Sequence, residues 1–151
     1  MYKKSLIGNV VSDESLDIPK DSKIQHLGLN QKKILFLVNN TQNKYLPDAE
    51  MDMLTNLLSA CNFTVADIAL VNYAQNPDIT YEKLIDQFKS EKLLTFGLST
   101  KDLNLPFNVP DFQIQKFQNQ TYLLNPPMDK ILIDVDLKKK LWICIKNLFS
   151  I

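Results

Sequence analysis

Arginine is missing from this 151-residue chain; its seventeen basic residues are all lysine. Without a guanidinium there is no planar fork to grip a phosphate or a guanine edge through two bonds at once. Seventeen acidic residues cancel the lysines, so no global field draws in nucleic acid or an anionic membrane. Strong direct nucleic-acid binding is therefore not expected, and a local lysine patch would give only weak, salt-sensitive contact. Glycine is nearly as scarce, with residues only at 8, 28 and 97, which leaves no glycine-rich cradle for a nucleotide phosphate. No serine sits in a GxSxG elbow. The single histidine, His26, lies in a polar stretch far from any predicted strand end, so acid–base chemistry near neutral pH has little to work with.

The two cysteines, Cys61 and Cys144, each occupy an apolar position of a predicted helix and belong to no CxxC or Cys/His cluster. They read as small buried hydrophobes in a reduced, cytoplasmic protein. Neither a metal nor a cofactor is predicted. Leu6-Ile7 and Val10-Val11 are too short to form the apolar centre of a signal peptide, and no run approaches membrane-spanning length.

What is present is an ordinary globular composition, 45% apolar and 23% charged, sized for one domain. Residues 1–22 read as an N-terminal arm that its own few apolar side chains cannot order, and residues 23–151 as a single α/β domain. Lys23 to Leu29 predicts a brief helix closed by Gly28. Lys32 to Val38 predicts a strand, and its continuous apolar run from Ile34 is expected of one buried on both faces. A polar loop, Asn39 to Asn43, leads to a helix beginning at Pro47-Asp48 with Met51, Leu54, Leu57, Leu58 and Cys61 inward. A strand near Ile68–Val71 follows, then a helix carrying Tyr81, Leu84, Ile85 and Phe88, then a strand over Lys92–Gly97. This alternation predicts a parallel sheet covered by helices. Phe112–Phe117 starts in apolar–polar alternation and predicts a hairpin, turned at Asn119-Gln120, with Thr121–Leu124.

After Pro126-Pro127 ends that strand, a helix from Asp134 or Asp136 to the chain end places Leu137, Leu141, Ile145 and Leu148 on one buried face. Trp142 falls beside that face and is assigned to the core. Asp134 and Asp136 are read as capping groups rather than metal ligands, because acids ahead of a helix meet its free N–H groups. Lys138-Lys139-Lys140 is read as a solvated helix face. Asn39 and Asn40 end the first strand and Asn125 ends a later one. Amides at two strand ends of an α/β sheet are candidates to line one ligand cleft.

Two stretches carry a family resemblance. Ile24-Gln-His-Leu-Gly-Leu-Asn-Gln31 is similar to a Leu-Gln-x-Leu-Gly-Ile-x-Gln segment, and Leu137-Lys-Lys-Lys-Leu-Trp-Ile-Cys-Ile145 to a closing helix with a Leu-Trp pair. Together with the order of elements over residues 23–149, they resemble the psi subunit of bacterial DNA polymerase III, a non-catalytic part of the clamp-loader assembly. The resemblance implies a protein–protein adaptor in DNA replication whose N-terminal peptide, here Ile24, Leu27, Gly28 and Leu29, docks on the clamp loader. It also implies a folded body that binds a chi-like subunit. The chain departs from that pattern at Lys32, where the peptide carries an aromatic residue, in lacking the extended linker, and in its extra arm. The resemblance further implies a three-layer α/β/α sandwich of the uracil-DNA glycosylase type with a mostly parallel sheet. The alternative it brings is a glycosylase-like enzyme using a cleft of Asn39, Asn40 and Asn125-Pro126-Pro127. In that motif Asn125 stands where glycosylases carry a histidine, so catalysis is not expected.

Overall fold

The computed structural model describes residues 24–76 and 78–151. An interior strand of its sheet is β1 (Ile34–Val38), every residue of which is buried. Strands alternate sides, so Ile34, Phe36 and Val38 enter one hydrophobic cluster while Leu35 and Leu37 enter another. An apolar run without polar alternation can be satisfied only with cover on both faces.

That cover comes from the elements that follow. The helix α1 (Asp48–Ala60) leads to β2 (Ile68–Asn72), and α2 (Tyr81–Phe88) leads to β3 (Lys92–Phe96). A hairpin of β4 (Ile114–Phe117) and β5 (Gln120–Asn125) completes the sheet, followed by the short α3 (Met128–Leu132) and the long α4 (Val135–Phe149). The sheet order is β2-β1-β3-β5-β4. All neighbours are parallel except β4 against β5. Leu54 and Leu58 of α1, Met128 and Ile131 of α3, and Leu141, Ile145 and Leu148 of α4 pack on one face. Leu84 and Phe88 of α2, joined by Leu98, Leu103 and Leu105 of the following loop, pack on the other. The protein is thus an α/β domain whose mostly parallel sheet is flanked by helices, as the alternation of periodicities predicts. No helix among the described residues is long and apolar enough to cross a membrane.

The hairpin turn is made by Gln118 and Asn119, both at positive φ (47° and 69°), as a tight turn matched to strand twist requires. Asp134 caps α4: its Oδ1 accepts from the amides of Asp136 at 2.9 Å and Leu137 at 3.2 Å, the role assigned to it from sequence. Leu141, Ile145 and Leu148 are buried as predicted, and so is Cys144, whose thiol donates to the Phe112 carbonyl at 3.2 Å. Leu137, in the first turn of α4, is only half-buried and packs against the core from its edge. Trp142 is half-buried too, packed against the rim of the core.

The expected helix at Lys23–Leu29 does not form over its described residues, and Lys23 lies outside them along with the arm 1–22. Residues 24–32 instead run alongside the free edge of β2. Leu27 and Leu70 exchange both backbone bonds, at 3.0 and 2.9 Å, and the amides of Asn30, Gln31 and Lys32 donate to Ile68, Ala66 and Asp67. The strand edge outcompetes a helix here because it offers ready partners to donors that a single helical turn would leave unpaired. Gly28, at φ 89°, is required by this approach rather than by a helix end. A side chain there would land on the carbonyl oxygens of Ile68 and Val65.

Candidate functional site

Ligands of open α/β sheets sit beyond the carboxyl ends of the strands, where successive connections leave in opposite directions. Here that point lies between β1 and β3, since the chain leaves β1 toward β2 but leaves β2 across the sheet toward β3. A cleft of about 420 Å³ opens there. Val38, Phe96 and Met128 contribute apolar surface, the loop 39–43 forms one wall, and Glu50 and Asp129 stand at the starts of α1 and α3.

Three features of the sequence build it. Pro47 and Pro127 begin the two helices, and neither supplies a side-chain cap, so the first-turn acids Glu50 and Asp129 complement the helix dipoles. Gly97, at φ 82° just past β3, lets Pro127 pack where a side chain would crowd it, and its amide donates to the Asn125 carbonyl at 3.0 Å. Asn72, fully buried at the end of β2, holds the loop. Its Oδ1 accepts from the Asn40 amide at 2.9 Å, and its Nδ2 donates to the carbonyls of Asn40, Asn43 and Lys44 at 2.8–3.1 Å.

Electrostatically the cleft is acidic. Its described lining contains two carboxylates and no lysine. Partial burial raises the Glu50 carboxyl above its ordinary range, and the neighbouring charge of Asp129 adds to the effect.

The residues expected in this cleft divide. Asn39 lines it and is exposed. Asn40 lines it as well, but its Oδ1 is turned back into the loop, accepting from the amides of Gln42 at 3.0 Å and Asn43 at 2.8 Å. Asn125 does not join the cleft lining. It is 1% exposed, and its Nδ2 donates to the Thr95 carbonyl at 3.0 Å within the sheet. Its position after an apolar strand signals a strand end, but not that the side chain turns back into the sheet. Sequence reasoning missed Asn72, Glu50 and Asp129. For Asn72 the only signal was an amide immediately after an apolar strand, and for the two acids their place in a first helical turn.

Of the peptide-like segment, Ile24 is gripped by Gln87, whose Oε1 accepts from its amide at 2.6 Å and whose Nε2 donates to its carbonyl at 2.9 Å. Leu27 and Gly28 pack on β2, while Leu29 projects outward, 69% exposed. His26 is exposed and rests edge-on against Phe88. Cys61 and Cys144 are free, and burial pushes both thiols up, which keeps them protonated and inert.

The fold and the cleft define the class of the protein: an α/β domain with a strand-end crevice at its switch point. No protein-family model matches the chain, and no curated protein matches it significantly.

Proposed function

We propose that this chain is a non-catalytic protein–protein adaptor resembling the psi subunit of the DNA polymerase III clamp-loader complex. On this reading it works in the cytoplasm and its body has a uracil-DNA glycosylase-like fold without base-releasing activity. The observation that carries the reading is the unpartnered aliphatic surface around the start and outer face of α4. Ile133, Val135 and Ile143 are 85%, 63% and 59% exposed there, and none of them lines the strand-end cleft. Several large aliphatic side chains left in water along one helix offer surface that a protein partner can cover.

The glycosylase-like alternative is supported by the position of the cleft and by Asn39 at its wall. Against it, Asn125 faces the sheet interior, and Glu50 and Asp129 would repel a phosphodiester from the pocket a flipped base must enter. A photo-crosslinking residue at position 143, introduced in the native cell, tests the proposal. It should trap a clamp-loader or chi-like subunit. A wholly unrelated partner would sink the psi assignment, and absence of any partner would sink the adaptor reading. The purified chain should release no base from uracil-containing single or double strands; release that disappears in Asn39→Ala would promote the alternative.

A further inference from the structure

We infer that the outer face of α4 docks an acidic segment of a protein partner that carries apolar anchors. The inference rests on the adaptor reading and adds the partner's chemistry. At about 100° per residue, Val135, Lys139, Ile143 and Lys146 fall within roughly 80° of one another. They lie opposite the buried Leu141, Cys144 and Leu148. The outward stripe therefore alternates aliphatic and ammonium groups along the helix, with Lys138 and Lys140 exposed on its flanks.

Its charge is in large part unpaired. The ion pair among the described residues is Lys89 with Asp86, so none of these four lysines is in direct contact with a described carboxylate. Of the two nearby acids, Asp134 is engaged by the backbone amides it caps, and the exposed Asp136, one turn before Lys139 and Lys140, offsets at most one of the four positive charges. A cationic ladder interleaved with aliphatic anchors is complementary to carboxylates interleaved with apolar side chains.

Two other occupants fit less well. A second copy would set eight like charges face to face across the interface. A bilayer would have to draw in Val135 and Ile143 while Lys139 lies between them on the same line, whereas interfacial helices keep lysines apart from the apolar face. A peptide partner needs no such segregation.

The test selects a displayed random dodecapeptide library on the full chain and measures the selected peptides by fluorescence anisotropy. Enriched peptides should carry several Asp or Glu with at least two large apolar residues. Their affinity should fall about tenfold or more in the double variant Lys139→Glu/Lys146→Glu, and about tenfold between low and high salt. Ile143→Asp should abolish binding; circular dichroism would verify that both variants keep the fold, which exposed positions favour. Neutral peptides that are lost in Ile143→Asp but indifferent to the lysine variant would overturn the acidic chemistry and leave the adaptor reading standing. No enrichment on this face would overturn the acidic-segment proposal alone, since the adaptor reading is decided by the crosslinking at position 143. Co-sedimentation with phosphatidylserine vesicles that the lysine variant abolishes would reassign the face to lipid. A concentration-dependent dimer broken by Ile143→Asp would reassign it to a second copy. Either result overturns the proposal.

Discussion

Replacing Asn72 by alanine should cost about 3–4 kcal/mol, and the structure shows where the cost arises. The side chain is fully buried and serves five backbone groups: it accepts from the amides of Asn40 and Ala74 and donates to the carbonyls of Asn40, Asn43 and Lys44. Two hydrogens on Nδ2 are shared among three carbonyls, so those bonds count as two. The Asn43 carbonyl keeps a second donor in Gln75, and that of Lys44 lies at an exposed residue where water can replace the amide. The loss that remains is two orphaned N–H groups and about one carbonyl, each worth about 1–1.5 kcal/mol when buried. A penalty of that size lowers the melting temperature of a domain of this length by about 10 °C. Urea unfolding gives the free energy directly, and hydrogen exchange should show the Asn40 amide released from protection. Asn72→Asp should be worse, since it sets a carboxylate against three carbonyl oxygens. A loss below about 1 kcal/mol with Asn40 still protected would refute the view that Asn72 pins the cleft wall.

Gly28→Ala should destabilise by about 3 kcal/mol or more, combining a positive φ with a clash on two carbonyls, and should leave the β2 edge open to aggregation; unchanged urea stability would show that the segment is not seated as described. Tyr122 is fully buried with no partner for its hydroxyl among the described residues, and burial, aided by Tyr81, pushes its phenol up to about 12. Tyr122→Phe should therefore be neutral or stabilising by about 1 kcal/mol. The phenol favours its protonated form in the fold, so its stabilising contribution is complete below pH 10 and is lost as pH rises toward 12; absorbance titration and alkaline unfolding of the two proteins read this out. Glu50, raised by burial and by Asp129, likewise favours its protonated form, so its stabilisation is present below the ordinary carboxylate pKa and lost as pH rises through the elevated one. Glu50→Gln should accordingly melt higher than the parent at pH 7 and at the same temperature at pH 4, and a gap that does not change with pH would contradict the coupling.

The sheet was legible because its strands are written in two scripts that physics keeps apart. Ile34–Val38 and Ile68–Val71 are unbroken apolar runs, whereas Phe112–Gln115 alternates, and the first kind becomes parallel strands buried on both faces while the second leads into the antiparallel, half-covered edge strand. The helix at Asp134 was legible through its cap. The helix expected over Lys23–Leu29 fails at residues 24–29 because a short polar–apolar stretch with one glycine satisfies a helix end and a docked strand edge equally well. Only the proximity of β2, more than thirty residues away in sequence, decides between them. α3 has five residues, too few to display a period, and the turn of Asn125 into the sheet depends on Thr95, thirty positions earlier. The cleft was half-legible for the same reason: strand ends are local, whereas the groups that hold or charge a loop are not.

The seating of residues 24–32 on β2 also determines how this protein bears tension. A pull applied upstream of Ile24 meets first the side chain of Gln87, which holds that residue's amide and carbonyl together. The next resistance is the reciprocal Leu27–Leu70 pair, and behind it the amides of Asn30, Gln31 and Lys32. These contacts are ranked along the chain, so a transverse force meets them one after another, while a force along the strand loads them together. Tethered by its N-terminal side, the domain would yield in steps when peeled and hold firmly when sheared, with β1 beyond the last clasp and under no strain until all have parted.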